Sequence, residues 1–221
     1  MENNMENNME NNNKLFTKVY GWMFVGLLIS FITGYYVSTK PNMVYNLANG
    51  YWILALIEIG LCIWLSAGIR KMQTMTAKIL FCLYSFITGL TFSFIFVVFK
   101  VESIVLVFGI TALLFAIMAL IGHFSNIDLT KLGSILFMGL LGIIIASLIN
   151  LFIGSETLNL GLVIIGIVIF ILYIAYDVQK IKYVANTLEE DKAAIICAFE
   201  LYLDFINLFI KLLRLLGKSK D

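Results

Sequence analysis

Five long stretches of this chain carry no charge at all: 19–37, 79–99, 103–122, 132–153 and 157–176. Each matches the ~20 residues that an α-helix needs to cross ~30 Å of hydrocarbon. The bilayer core holds no water, so a crossing segment has to satisfy its own backbone hydrogen bonds, and a helix does so. Two further stretches are long enough but less pure. Residues 51–69 are interrupted only by Glu58, and residues 195–216 are much more polar. The chain therefore reads as an all-α integral membrane protein with seven transmembrane helices. Composition agrees, with 61% hydrophobic and 13% charged residues, where a soluble domain carries roughly 25% charged.

Several classes fall away on the same grounds. A net charge of +1 offers no basic stripe for nucleic acid. Cys62, Cys82 and Cys197 lie far apart in apolar runs and read as small packed hydrophobes. With one histidine and no cysteine pair, no cofactor is expected. The first thirteen residues repeat Met-Glu-Asn-Asn three times and add one Asn. They are expected to form a disordered tail over 1–13, followed by a single seven-helix transmembrane domain over 14–221. No cleavable signal pattern is visible, so 19–37 reads as an uncleaved first span. Pro41 falls in the first loop, which leaves every span free of a proline kink. Small residues recur four apart at Gly89 and Ser93, Ala112 and Ala116, and Gly142 and Ala146. Such spacing suits close helix packing in lipid.

Loop charge gives an orientation. With the amino terminus inside, the cytoplasmic side holds Lys14, Lys18, Arg70, Lys71, Lys78, Lys131, Lys180, Lys182 and Lys192, and the opposite loops hold Lys40 and Lys100. That asymmetry predicts a cytoplasmic amino terminus. Lys218 and Lys220 break the pattern if the last helix crosses fully. Either it crosses despite them or it re-enters.

The last helix is the informative one. Glu200, Asp204, Asn207, Lys211 and Arg214 are spaced four, three, four and three apart, which places them on one face. An ionisable group at the centre of a membrane helix costs at least ~2.5 kcal/mol, so this face should avoid lipid. The seventh helix is thus expected inside the bundle or lining a polar cavity. The bland alternative is an amphipathic helix lying on the surface. Asp177 ends the sixth span on the side from which the seventh starts, and Asp204 lies ~13 Å along that helix. If the bundle brings the two together in a dry site, they cannot both ionise cheaply. Such a pair suits a proton-sensitive switch or hard oxygen ligands for a cation such as Ca²⁺. Arg70 ends the second span level with Asp177, where it would favour the ionised aspartate. Glu58 is level with Lys211 or Arg214.

These residues also carry a resemblance. Ala-Tyr-Asp-Val-Gln-Lys-Ile (175–181), Leu-Tyr-Leu-Asp-Phe-Ile-Asn-Leu-Phe (201–209) and Leu-Leu-Arg-Leu-Leu-Gly (212–217) resemble the Bax inhibitor-1 family, in its bacterial form, from about residue 14 to the carboxyl end. The resemblance implies six helices around a central polar seventh and a pH-sensitive calcium leak, in the plasma (inner) membrane of a bacterium. It implies Asp177 and Asp204 as the pH sensor and ion site, Arg70 as a latch, and Glu58 with Arg214 as a second pair. Glu200, Asn207 and Lys211 are accessory candidates. The chain departs from the family pattern in its acidic loop (Glu189, Glu190, Asp191) and in Glu200. The implied partners are the lipid bilayer, Ca²⁺ and protons. A non-conducting regulator of a membrane protease or of a cell-death or stress partner is the alternative function. An enzyme is not expected: His123 has no serine motif to pair with. A retinal Schiff base at Lys211 would lack a counter-ion in the third span.

Overall fold

The computed structural model describes residues 2–125, 127–185 and 187–220, with the side chains of 1–12 outside the described set. Its helices are α1 (Glu2–Ser38), α2 (Pro41–Asn49), α3 (Tyr51–Gly68), α4 (Thr74–Val98), α5 (Val101–Phe124), α6 (Gly133–Ile153), α7 (Glu156–Val184) and α8 (Glu190–Leu216). A 3-10 turn, Leu129–Leu132, leads into α6. Among the described residues seven helices, all but α2, are long and apolar enough to cross a membrane. The all-helical, seven-span reading is therefore what the chain adopts.

Three local features differ from the sequence reading. The helical backbone of α1 starts at Glu2, inside the stretch expected to be a disordered tail. Met and Glu are good helix formers, and a helix seeded by a span extends into them readily. Pro41 opens the short helix α2 instead of sitting in a loop. Proline is well suited to a first turn, where its missing N–H has no partner to lose. Helix α7 continues to Val184, past Asp177, because polar residues do not stop a helix when neither proline nor glycine follows. Asp177 thus lies about two turns inside α7 and not at its end.

The chain divides into two compact units. One comprises Met1–Lys100, Val184–Tyr202 and Ser219–Asp221, and so holds α1 to α4 with the first half of α8. In it, α1 and α4 approach closely at Gly89. A Cβ there would stand 2.8 Å from the Ser30 carbonyl oxygen. Tyr202 of α8 is fully buried, edge-on to Phe81 at 5.4 Å. Its hydroxyl lies 2.6 Å from Ser30 Oγ, which also donates to the Ser85 carbonyl at 2.7 Å. A buried phenol needs such partners, because no water reaches it. Both ends of α8 are tied to α4. At its start, Asp191 meets Lys78 Nζ at 3.0 Å and Lys18 Nζ of α1 at 2.7 Å, and Lys18 also reaches Glu190 at 2.9 Å. Past its end, the Lys220 amide donates to the Val98 carbonyl at 2.8 Å and its ammonium to the Phe96 carbonyl at 2.7 Å. Lys78 lies in the second turn of α4 and Val98 ends it. The start of α8 thus lies beside the start of α4, and the residues just past its end lie beside the end of α4, as expected of a helix that crosses. Lys220 sits where the α4 dipole is negative, which accounts for a lysine at that end.

The other unit comprises Val101–Tyr183 and Leu203–Lys218. Here α5 and α7 touch backbone to backbone, because a Cβ on Gly122 would run into the Ala175 carbonyl. Phe205 packs against Phe108 at 5.3 Å and Phe115 at 5.8 Å. The small-residue spacing on α6 is not used in this way, since a Cβ on Gly142 meets nothing within 4 Å. Of all the spans α8 is the most enclosed, with 78% of its most apolar window buried against 11% for α3.

Two outcomes follow from this packing. In a protein freed of its three native cysteines, single cysteines at Glu189 and Ser219 should react with an impermeant maleimide from opposite sides of a sealed membrane; reaction of both from one side would refute the crossing of α8. Gly122→Ala should lower thermal stability by roughly 1–3 kcal/mol through overpacking, while Gly142→Ala should leave it unchanged or raise it by up to about 1 kcal/mol. Melting in detergent compares them, and equal losses would show that Gly122 is no closer a contact than Gly142.

Candidate functional site

The site is built from the facing halves of α7 and α8. Lys211 fixes their register: its stem lies against Gly166, and its ammonium stands 5.9 Å from the centre of the Phe170 ring. The helices run in opposite directions, so moving up α7 from Phe170 corresponds to moving back along α8 from Lys211. Seven residues, or about 10 Å, separate Phe170 from Asp177, and the same interval separates Lys211 from Asp204. The two carboxylates therefore stand at the same level to within about a turn. A second observation agrees. The Tyr173 hydroxyl, one turn before Asp177, lies within electrostatic reach of both Asp177 and Asp204. Both aspartates are buried, at 7% and 5% exposure.

The surroundings of Asp177 are polar and ordered. Lys180, three residues on, holds its ammonium 3.6 Å from Asp177 Oδ1 and 5.8 Å from the centre of the Tyr176 ring. Gln179, 7% exposed, uses both ends of its amide on the connection between α5 and α6. Its Nε2 donates to the Ile127 carbonyl at 2.9 Å, and its Oε1 accepts from the Leu129 amide at 2.7 Å. Next to it, Asp128 accepts from the Thr130 amide at 3.1 Å and from the Thr130 hydroxyl. Those bonds favour the charged form and hold the Asp128 carboxyl below its usual range. Lys182 donates to the His123 carbonyl at 2.6 Å. Gln179 thus pins the α5–α6 connection to α7, and Lys182 pins the end of α5, both residues lying two to five positions after Asp177.

The remaining candidates separate into different settings. On the α8 stripe, Asn207 turns back to donate to the Leu203 carbonyl at 2.8 Å. Arg214 is exposed in the last turn, where the helix dipole favours a cation. Glu200 is half-buried one turn before Asp204. Glu58 and Arg70 belong to the unit containing α3. Glu58 is half-buried and accepts from the Thr88 and Thr91 hydroxyls of α4, both at 2.8 Å. Arg70 is exposed just past α3. Sequence reasoning passed over Tyr173, Gln179, Lys180, Thr88 and Thr91. Tyr173 and Lys180 carried a usable signal, as positions four before and three after Asp177 on one helical face. The threonines gave none, because their partner lies on another helix. Among the described residues no three His, Cys, Asp or Glu side chains form a metal-holding group.

Gln179→Leu should free the Leu129 amide and the Ile127 carbonyl at a cost of roughly 1–3 kcal/mol. Amide exchange at Leu129 should then quicken by about tenfold or more. Unchanged exchange would mean that the clamp does not hold this connection.

Comparison with known proteins places the chain among relatives. Residues 12–221 match the family model described as inhibitor of apoptosis-promoting Bax1. A protein of Borreliella burgdorferi is 43% identical over 212 residues, covering 92% of this chain and 91% of that relative. Inner membrane protein YbhL of Escherichia coli K12 is 40% identical over 212 residues, with 92% and 91% covered. A Rickettsia prowazekii protein is 39% identical over 210 residues, with 92% and 89% covered. With seven membrane-length helices and a family match running from the start of the first span to the carboxyl end, this chain is a multi-pass integral membrane protein of the Bax inhibitor-1 family.

Proposed function

We propose that the protein is a pH-sensitive calcium leak, with Asp177 and Asp204 as its ion and proton site. The observation that supports this reading is that two buried carboxylates, one on α7 and one on α8, both lie within electrostatic reach of the Tyr173 hydroxyl. Two aspartates supply far fewer oxygens than the six to eight of a resident calcium site. They suit an ion that is attracted, partly dehydrated and released. The membrane is the bacterial plasma membrane, as for the inner-membrane relative, and loop charge puts the amino terminus in the cytoplasm.

Protonation has two effects in this scheme. It removes the negative charge that draws a cation to the pair, and it weakens any hold of Asp177 on the Arg70 latch. The first effect lowers flux in acid and the second raises it. Glu58 accepts from the Thr88 and Thr91 hydroxyls, which hold its carboxyl group in place against α4.

Calcium flux into vesicles reconstituted with the purified protein tests the reading. Asp177→Asn and Asp204→Asn should each abolish the pH dependence and lower flux several-fold at neutral pH. Arg70→Gln, which leaves only the effect on attraction, should show flux that falls steadily on acidification. An Asp204→Asn variant with wild-type flux and pH response would remove the pair from the mechanism. Absence of flux from the wild type, with a membrane protease or stress protein co-purifying from native membranes, would favour a non-conducting regulator.

A further inference from the structure

We propose that Lys211 is a specificity-determining residue of the conduit, a fixed positive charge that restrains divalent cations beyond the aspartate pair. The inference rests on the leak reading above and adds to it what limits the leak. Lys211 belongs to the same α8 face as Asp204, seven residues further on. Its stem and its ammonium both lie in the notch left by Gly166, with the centre of the Phe170 ring 5.9 Å from the ammonium.

The location is built for that side chain. A Cβ on residue 166 would collide with Lys211 Cε, Cδ and Nζ, so glycine there is what leaves room for the side chain against α7. The Phe170 ring face attracts the ammonium without neutralising it. Arg214, three residues on along α8, carries a charge of the same sign. A cation leaving the aspartate pair along the α7–α8 face therefore meets a positive charge about two turns away. In a setting of low dielectric that charge is felt at such a distance.

Charge scaling makes the idea sharp. The repulsion on Ca²⁺ is twice that on a monovalent ion at the same place. A barrier that slows a monovalent ion about threefold therefore slows calcium about ninefold.

The experiment compares Ca²⁺ and K⁺ flux in vesicles holding wild-type protein, Lys211→Met, Lys211→Gln or Lys211→Arg, each first shown to elute as a single species. Methionine keeps the apolar stem and glutamine keeps polarity, so either one serves if the other fails to fold. The expected result is about a tenfold rise in Ca²⁺ flux with about a threefold rise in K⁺ flux in Met and Gln, and the wild-type ratio of the two in Arg. An equal rise for both ions would overturn the electrostatic role. Unchanged flux in Met and Gln, against a measurable wild-type leak, would overturn the inference and leave the leak standing. No flux of either ion from any of the four proteins would overturn both.

Discussion

A helix with a polar stripe cannot face lipid, and the structure is organised around that constraint. The stripe from Glu200 to Arg214 would cost several kcal/mol if its charges met hydrocarbon. Helix α8 is accordingly the most buried span, while α3 and α6 leave most of their surface to the lipid. The buried part of α8 is clad in aromatic rings. Phe81 and Tyr84 meet Phe199 and Tyr202 along its first half, and Phe108 and Phe115 meet Phe205 along its second.

Lipid offers no hydrophobic drive for helices to associate, so close backbones and hydrogen bonds take that part. Gly89 and Gly122 provide the two close crossings described, α1 on α4 and α5 on α7. The Ser30, Ser85 and Tyr202 hydroxyls and carbonyls add a buried junction two residues before Asp204. Charges secure the ends. Glu190 and Asp191 lie in the first turn of α8, where the dipole favours acids, and there they bind Lys18 and Lys78. The acidic loop that set this chain apart from the family pattern thus has a structural use in anchoring α8.

The aspartate site inherits its order from this frame. Asp177 is followed by Gln179, which fastens the α5–α6 connection, and Lys182, which fastens the end of α5, and is preceded by Ala175, against which Gly122 draws α5 close. Small shifts of α5 would be felt at Asp177 through those contacts. Lys211 does for the other end of the stripe what the aspartates do for the middle. It sets a charge on the polar face, of opposite sign and held by a shape that fits it.

Reading residues along the chain was enough for the spans, because the length and charge-freedom of a segment determine whether it can lie in hydrocarbon. Helical periodicity alone also aligns Glu200, Asp204, Asn207, Lys211 and Arg214 on one face, but of these only Asp204 is buried, with Glu200, Asn207 and Lys211 half-buried and Arg214 exposed. Reading along the chain misplaced the end of α7, because a run of polar residues looks like a loop when nothing shows that Gln179 is buried against another segment. It also left open whether α8 crosses. The arrangement that bears on it, Lys220 meeting the end of α4 and Asp191 meeting its start, is made of contacts between residues more than a hundred positions apart. Hydropathy and periodicity are properties of neighbours along the chain. Register between helices, the seat of Lys211 against Gly166 and the clamp by Gln179 depend on which surfaces fit together, and that is fixed only when the helices pack.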